Sequence, residues 1–267
     1  TAAFVGDAVS ITVAPSGSAA TTCAGAQPAC PLAVGVNVIT VTVTAPSGSS
    51  KVYTVQVPRA PSSNAELATL ALSQGTITPL FDPATTSYTT TVANGVMSVM
   101  VTPTTGDPHA TIAVNGAPVL SGTVSAPINL RVGETIITTT VTAQDAATTK
   151  TYSITVTRVS SNNAALDSLA LSDGLLAPPF NPAASSYSAT VANNVLTVTV
   201  TPTTGDPHAT ITVNGTSVIS GAASDPISLL VGQNVITTTV IAQDGVTTQD
   251  YVTTVTRAAA PTPTPTP

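Results

Sequence analysis

Apolar and hydroxyl-bearing side chains alternate along much of the chain. In the clearest case Tyr152, Ile154 and Val156 are separated by single Ser or Thr residues. A period of two is typical of a β-strand with one buried and one solvated face. The same alternation, bounded by Gly, Pro, Asn or Asp, predicts further strands over 87–92, 98–102 and 136–143.

Turn signals separate these predicted strands. Asn-Gly pairs at 115–116 and 214–215 lie between apolar runs, which predicts a two-residue type I′ hairpin at both places. Gly133 and Gly232 are predicted to mark the turn before a long Thr-rich strand. No segment has a sustained helical period, although residues 64–67 could form a single helical turn. About seven short strands in roughly 95 residues predict a β-sandwich.

The sequence contains an internal repeat of domain size. Residues 64–158 align with residues 163–257 without a gap, at an offset of 99 residues (163 − 64). A period this long corresponds to a whole domain. We therefore predict a partial β-sandwich repeat over 1–59, complete repeats over 64–158 and 163–257, and a Pro/Thr-rich linker over 258–267, where proline favours polyproline II.

The first copy repeats only the second part of the unit and lacks a segment that matches residues 64–99. Two explanations are open. The chain is a piece of a longer protein, or its first sandwich is completed by another chain. We expect the first explanation to hold.

Composition narrows the possible functions. Charged residues make up 7% and aromatic residues 3% of the chain, there is no Trp, and the net charge is −6. Six scattered Lys and Arg residues form no basic stripe, which argues against nucleic-acid binding. Polar residues interrupt every apolar run before the length of a spanning helix, so we predict no transmembrane segment. A surface rich in Thr and Ser suits an extracellular protein.

The two cysteines, Cys23 and Cys30, enclose a six-residue loop. A metal site would need further Cys or His ligands nearby, and a redox motif would have two intervening residues. We therefore predict a local disulfide between them, with an oxidising compartment as the consequence. The alternative is a pair of unlinked thiols.

Candidate chemistry is sparse, and we predict no catalytic, cofactor or metal site. The two histidines, His109 and His208, each follow an Asp-Pro pair that suits a turn between strands. A catalytic site would need a nucleophile and an oxyanion donor beside them. Each tyrosine that could stack on a sugar is the first apolar residue of an alternating apolar and polar strand. These tyrosines are therefore predicted to be core residues. They are Tyr53, Tyr88, Tyr152, Tyr187 and Tyr251.

Short motifs recur at matching places in both complete copies. They are Leu70-Ala-Leu72-Ser73 with Gly75, Phe81 with Pro83, Ser87-Tyr88, Val114-Asn-Gly116, Gly133 and Val156-Thr-Arg158, then Leu169-Ala-Leu171-Ser172 with Gly174, Phe180 with Pro182, Tyr187, Asn214-Gly215, Gly232 and Val255-Thr-Arg257. This set resembles the bacterial cadherin-like β-sandwich repeat family. The resemblance implies an all-β fold of tandem seven-stranded cadherin/immunoglobulin-like sandwiches in an exported protein, with a carbohydrate-binding role. The acidic motifs that bind calcium in animal cadherins are absent.

Two functional hypotheses follow. The first is an extracellular, non-enzymatic structural repeat protein in a cell-surface fibre, sheath or surface layer, whose partners are copies of itself or neighbouring repeats of a longer chain. The second is a carbohydrate-binding or adhesive module of a larger exported protein, with cell-surface glycan as its partner. Neither requires a cofactor.

Overall fold

The computed structural model describes residues 8–23 and 30–261, and these residues form β-strands and connecting loops without any helix. Most of the predicted linker over 258–267 and parts of the first copy lie outside the described residues. The all-β prediction is confirmed. The domain boundaries given above remain a prediction.

The first copy forms a single four-stranded antiparallel sheet. Its spatial order is β2-β1-β3-β4, and β4 therefore lies at one edge. The strands are β1 (Ala8–Pro15), β2 (Thr21–Thr22), β3 (Gly35–Thr44) and β4 (Ser50–Arg59).

The second copy forms a five-stranded sheet and two short antiparallel pairs. The sheet order is β10-β9-β12-β13-β6, and β5 pairs with β8 while β7 pairs with β11. Seven of these strands have three or more residues, as predicted, and two have only two residues. They are β5 (Leu67–Leu72), β6 (Ser87–Val92), β7 (Ser98–Val99), β8 (Val101–Thr105), β9 (Thr111–Val114), β10 (Ala117–Val119), β11 (Ile128–Asn129), β12 (Gly133–Thr142) and β13 (Thr149–Arg158).

The third copy repeats this arrangement strand for strand. Its five-stranded sheet has the order β15-β22-β21-β18-β19, with β14 paired to β17 and β16 paired to β20. The strands are β14 (Leu166–Leu171), β15 (Ser186–Val191), β16 (Thr197–Val198), β17 (Val200–Thr204), β18 (Thr210–Val213), β19 (Thr216–Val218), β20 (Ile227–Ser228), β21 (Gly232–Ile241) and β22 (Thr248–Arg257).

The core of the third copy lies between its two layers. Leu166 and Leu169 of β14 and Val200 of β17 belong to the same buried cluster as Tyr251 and Val255 of β22. Alternate residues of each long strand point into this cluster, as the period of two predicts. The burial pattern is the same in the second copy, where Tyr152, Ile154 and Val156 are fully buried.

The Asn-Gly turns have the predicted conformation. Asn115 has a φ of 48° and Gly116 a φ of 81°, and the strands on either side pair as a two-residue hairpin. Asn214 and Gly215 match them at 46° and 81°. Both positions of a type I′ turn require positive φ, which Asn and Gly adopt most readily.

One local prediction was wrong. Residues 64–67 form no helical turn, because the Asn64 carboxamide oxygen accepts a hydrogen bond from the Glu66 N–H at 2.9 Å and bends the chain into β5. Gly133 and Gly232, with φ of 87° and 97°, directly follow a bend and begin the long strands, so they mark the turn before those strands as predicted.

Candidate binding surface

The first sheet presents an apolar face that its own described residues do not cover. This open face consists of Val9 and Ile11 of β1, Ile39, Val41 and Val43 of β3, and Tyr53, Val55 and Val57 of β4, whereas Val13 on the same side of β1 is buried.

Tyr53 and Val55 show how far this face differs from its counterparts. They are 50% and 56% exposed, whereas Tyr152 and Ile154 at the matching positions are 0% exposed. The prediction that Tyr53 is a core residue was therefore wrong for the described structure. In the second copy the aromatic ring of Phe81 lies 6.2 Å from that of Tyr152, and the described first copy has no such covering residue.

The edge of the first sheet at β4 is also unpaired among the described residues. In the third copy the equivalent edge, β22, pairs in parallel with β15, from Ser186 opposite Val252 to Val191 opposite Arg257. The backbone groups of an unpaired edge are a template for another strand. The first copy therefore combines an open apolar face with a free edge.

The buried tyrosines of the complete copies use their hydroxyls structurally. The Tyr152 hydroxyl accepts a hydrogen bond from the Leu67 N–H at 3.1 Å and donates one to the Pro83 carbonyl at 2.9 Å. The Tyr88 hydroxyl donates to the Asp82 carbonyl at 2.7 Å. Because the rings are buried, stacking on a sugar is excluded for the tyrosines of these two copies.

The outer face of the five-stranded sheet in the second copy carries rows of hydroxyl groups. Thr140 and Thr151 face each other across β12 and β13, with their Oγ1 atoms 3.1 Å apart. We call this surface the hydroxyl face. It comprises Ser87, Thr89, Thr91, Thr111, Thr138, Thr140, Thr142, Thr149, Thr151, Ser153, Thr155 and Thr157, and the exposed Glu134 and Ile136 share its side of β12.

The Asp-Pro-His segments form turns that bind their own backbone. The Asp107 carboxylate accepts a hydrogen bond from the His109 N–H at 2.8 Å, and its Oδ1 lies 3.2 Å from the His109 ring nitrogen. The hydroxyl of Ser62, followed by the His109 N–H, lowers the pKa of Asp107. Asp206 has the same geometry, and its pKa is lowered first by Ser161. These carboxylates therefore hold a turn and the start of their own repeat.

Cys23 and Cys30 are bonded to each other in the structure, with their Cα atoms 5.4 Å apart. Residues 24–29 of the enclosed loop lie outside the described part of the chain. The disulfide remains a prediction that chemical labelling can test.

Within 8–23 and 30–261, no group of three or more His, Cys, Asp or Glu side chains is arranged to hold a metal ion. Over the same described ranges, no helix has the length and apolar character needed to cross a membrane.

Lys150 makes two contacts that were not predicted from the sequence. Its ammonium group lies 3.0 Å from a Glu66 carboxylate oxygen and 5.4 Å from the centre of the Tyr152 ring. The sequence did indicate this contact between Lys and Tyr, because Lys51 precedes Tyr53 by two positions just as Lys150 precedes Tyr152. The Lys51 ammonium likewise lies 5.2 Å from the centre of the Tyr53 ring.

Two layers of strands around a shared core, repeated in tandem, define a protein built from β-sandwich modules. The family model described as "Cadherin-like beta sandwich domain" matches residues 67–159 and 166–258. The chain belongs to this cadherin-like family, as its motifs indicated. Domains of this family are extracellular adhesive or structural repeats and are typically non-catalytic.

A protein of Evansella cellulosilytica named "Putative membrane protein" is 37% identical over 95 residues, which is 36% of this chain and 14% of that protein. The chain thus spans about one seventh of that relative.

Solved structures of cadherin ectodomains align at low identity. Protocadherin Gamma B2 extracellular cadherin domains 3–6 align with 94% of this chain and 68% of their own, at 12% identity and a TM-score of 0.28. The human Desmocollin-1 ectodomain aligns with 84% of this chain and 47% of its own, at 11% identity and a TM-score of 0.27.

Proposed function

We propose that this protein is an extracellular structural repeat protein that forms part of a cell-surface fibre, sheath or surface layer. The observation that carries the proposal is the hydroxyl face. Packing a face lined mainly by hydroxyl groups against a neighbouring molecule buries little charge, because Glu134 is the single carboxylate among the outward-facing strand residues of this sheet. Each hydroxyl is able to both donate and accept a hydrogen bond. Tandem copies provide such a face more than once along one chain.

The third copy supports the same interpretation with one difference. Thr237 and Thr239 continue the row on β21, but Asp250 replaces a hydroxyl residue on β22 and accepts a hydrogen bond from the Thr239 hydroxyl at 2.6 Å. Each face therefore carries one carboxylate, Glu134 in the second copy and Asp250 in the third.

Assembly can be tested with charges on the hydroxyl face. We expect the purified protein to form filaments or a lattice in negative-stain electron micrographs at high concentration. The double variant Thr140→Lys with Thr151→Lys should prevent assembly, because two ammonium groups would have to be desolvated at each contact. The control is Val246→Lys in the exposed turn before β22, which should assemble normally. A wild-type protein that stays monomeric, or a double variant that still assembles, would contradict the proposal.

A carbohydrate-binding or adhesive module is the second candidate, and the exposed ring of Tyr53 favours it. Aromatic faces that reach solvent are suited to stacking on neutral sugars. A binding assay against cell-surface polysaccharide, with Tyr53→Ala as the variant and Tyr53→Phe, which keeps the aromatic ring, as the control, separates the two functions. Saturable binding that Tyr53→Ala abolishes would establish the glycan function.

A further inference from the structure

The peptide bond between Asp107 and Pro108 is surrounded by groups that can break it. The Asp107 carboxylate can reach its own backbone carbonyl carbon, because attack there closes a cyclic anhydride, and carboxylates act as nucleophiles in enzymes. The oxygen of this carbonyl accepts a hydrogen bond from the Ala110 N–H at 3.1 Å. A donor at this place stabilises the negative charge that the oxygen gains during attack. The turn therefore supplies a nucleophile and an oxyanion donor.

His109 supplies a proton donor to the same turn. Its ring Nδ1 lies 3.2 Å from the Asp107 carboxylate oxygen Oδ1, and its backbone N–H donates to that oxygen at 2.8 Å. The Asp107 side chain is only 11% exposed, whereas the His109 side chain is 58% exposed and can exchange protons with solvent. Because the Ser62 hydroxyl and then the His109 N–H lower the pKa of Asp107, the carboxylate stays ionised at mildly acidic pH. Histidine is well suited to general acid catalysis under these conditions.

The third copy repeats each of these contacts. The Asp206 carboxylate oxygen Oδ1 accepts a hydrogen bond from the His208 N–H at 2.8 Å and lies 3.2 Å from the His208 ring Nδ1. The Ala209 N–H donates to the Asp206 carbonyl at 3.1 Å. The Asp206 side chain is again 11% exposed. The chain thus contains the same arrangement twice.

Another Asp-Pro turn has the same backbone hydrogen bonds without a histidine. The Asp82 carboxylate accepts a hydrogen bond from the Ala84 N–H at 2.7 Å, and the Asp82 carbonyl accepts one from the Thr85 N–H at 3.0 Å. Alanine therefore stands where the two turns described above have an imidazole. Because this turn forms without a histidine, the histidines are not needed for the turn itself. The Asp82-Pro83 bond is an internal control for what the imidazole adds.

We infer that the protein cleaves its own Asp107-Pro108 and Asp206-Pro207 bonds. In the second copy the Asp107 carboxylate attacks its own backbone carbonyl carbon, and a carbon–oxygen bond forms as the carbon–nitrogen bond to Pro108 breaks. The protonated imidazole of His109 gives its proton to the leaving proline nitrogen, which becomes a free secondary amine. Proline suits this step because its amide nitrogen is tertiary, so the amine released is a basic one that accepts the proton readily.

Water completes the reaction by opening the cyclic anhydride. The product is a chain that ends at Asp107 with two carboxyl groups and a second chain that begins at Pro108. The sum of the steps is the hydrolysis of one peptide bond, and no oxidant, reductant or cofactor takes part. Each site reacts once in each molecule.

The two cuts fall between strands and leave each sandwich assembled. The bond after Asp107 lies between β8 and β9, and β6 before the cut is hydrogen-bonded to β13 after it. In the third copy β15 and β22 pair across the cut in the same way. The buried core also joins strands from both sides of the cut. We therefore expect cleavage to change the covalent chain and to leave the fold in place, whether or not the protein assembles laterally.

Cleavage can be measured by mass spectrometry of the denatured protein after the folded chain has been incubated at about pH 6, where histidine side chains are partly protonated. We expect fragments that end at Asp107 and Asp206 and fragments that begin at Pro108 and Pro207. Light scattering under native conditions should still give the mass of the uncleaved protein, because the fragments stay together.

Two double variants separate the roles of the carboxylate and the imidazole. Asp107→Asn with Asp206→Asn removes both nucleophiles and should abolish both cleavages. His109→Ala with His208→Ala removes the proton donors and should slow both cleavages at least about tenfold. The histidine side chains are mostly exposed, so this second variant should fold, and circular dichroism checks that it does.

Four results would overturn the inference. The first is a folded wild-type chain whose two His-containing turns stay intact during prolonged incubation. The second is equal cleavage at Asp82-Pro83, since a lability common to all Asp-Pro bonds would then explain the fragments. The third is an unchanged rate in the folded histidine double variant. The fourth is an equal rate in wild-type chain unfolded by guanidinium chloride, because the geometry of the turn would then contribute nothing.

Discussion

The Tyr152 hydroxyl accepts a hydrogen bond from the backbone N–H of Leu67 at 3.1 Å, and the two residues are 85 positions apart in sequence. This contact joins the last strand of the sandwich to the first. Tyr251 and Leu166 repeat it at 3.0 Å in the third copy. A buried N–H requires a partner, so this tyrosine closes the sandwich by hydrogen bonding as well as by packing.

Tyr152→Phe should therefore destabilise the second sandwich by about 1–3 kcal/mol, because the Leu67 N–H loses its acceptor while remaining buried. The measurement is hydrogen–deuterium exchange in urea, read on peptides of β12 and β13. Tyr53→Phe is the matched control, and its hydroxyl is exposed, so the change should stay within about 0.5 kcal/mol. Equal effects of the two substitutions would contradict this role of the tyrosine hydroxyl.

The hydroxyl of Thr139 is buried and has no hydrogen-bond partner among the described residues. Thr139→Val should raise the free energy of unfolding by about 1 kcal/mol, since it removes an unpaired polar group at nearly constant shape. Val41 already occupies the matching position of the first copy, opposite Tyr53. Thr140→Val on the hydroxyl face is the control and should bring no gain. Destabilisation by Thr139→Val would mean that this hydroxyl has a partner.

The stability of the third sandwich should depend on pH through Asp206. The Ser161 hydroxyl and the His208 N–H lower the pKa of Asp206 in the folded state, so the carboxylate stabilises the fold above its ordinary pKa. That contribution is lost as the pH falls below the ordinary aspartate pKa of 3.8 and through the lowered value. Hydrogen exchange as a function of pH should show a smaller loss in Asp206→Asn and in Ser161→Ala. An unchanged pH dependence in both variants would contradict the assignment.

The cysteine pair can be tested by labelling. Iodoacetamide should modify neither Cys23 nor Cys30 before reduction and both after it. Because the enclosed loop is short, reduction should cost the first sheet at most about 2–4 kcal/mol of stability. Alkylation of both thiols without reductant would show that the disulfide is absent.

Local features of this protein were determined by its sequence. The alternation around Tyr152, Ile154 and Val156 predicted a strand and its buried face, because side-chain direction in a strand depends only on the period of two. Asn115 and Gly116 predicted their hairpin, because positive φ favours those residue types. The family was indicated by short motifs of the same kind, which form strands and turns.

The tertiary structure decided what those local patterns could not. Tyr53 and Tyr152 occupy the same place in the same pattern, yet one is exposed and the other is buried, because burial depends on whether a segment distant in sequence covers the ring. The salt bridge between Lys150 and Glu66 and the parallel pairing of β15 with β22 likewise join parts of the chain that no local period connects. The sequence determined which face of each strand is apolar, and only the packing of a second layer determined whether that face became a core.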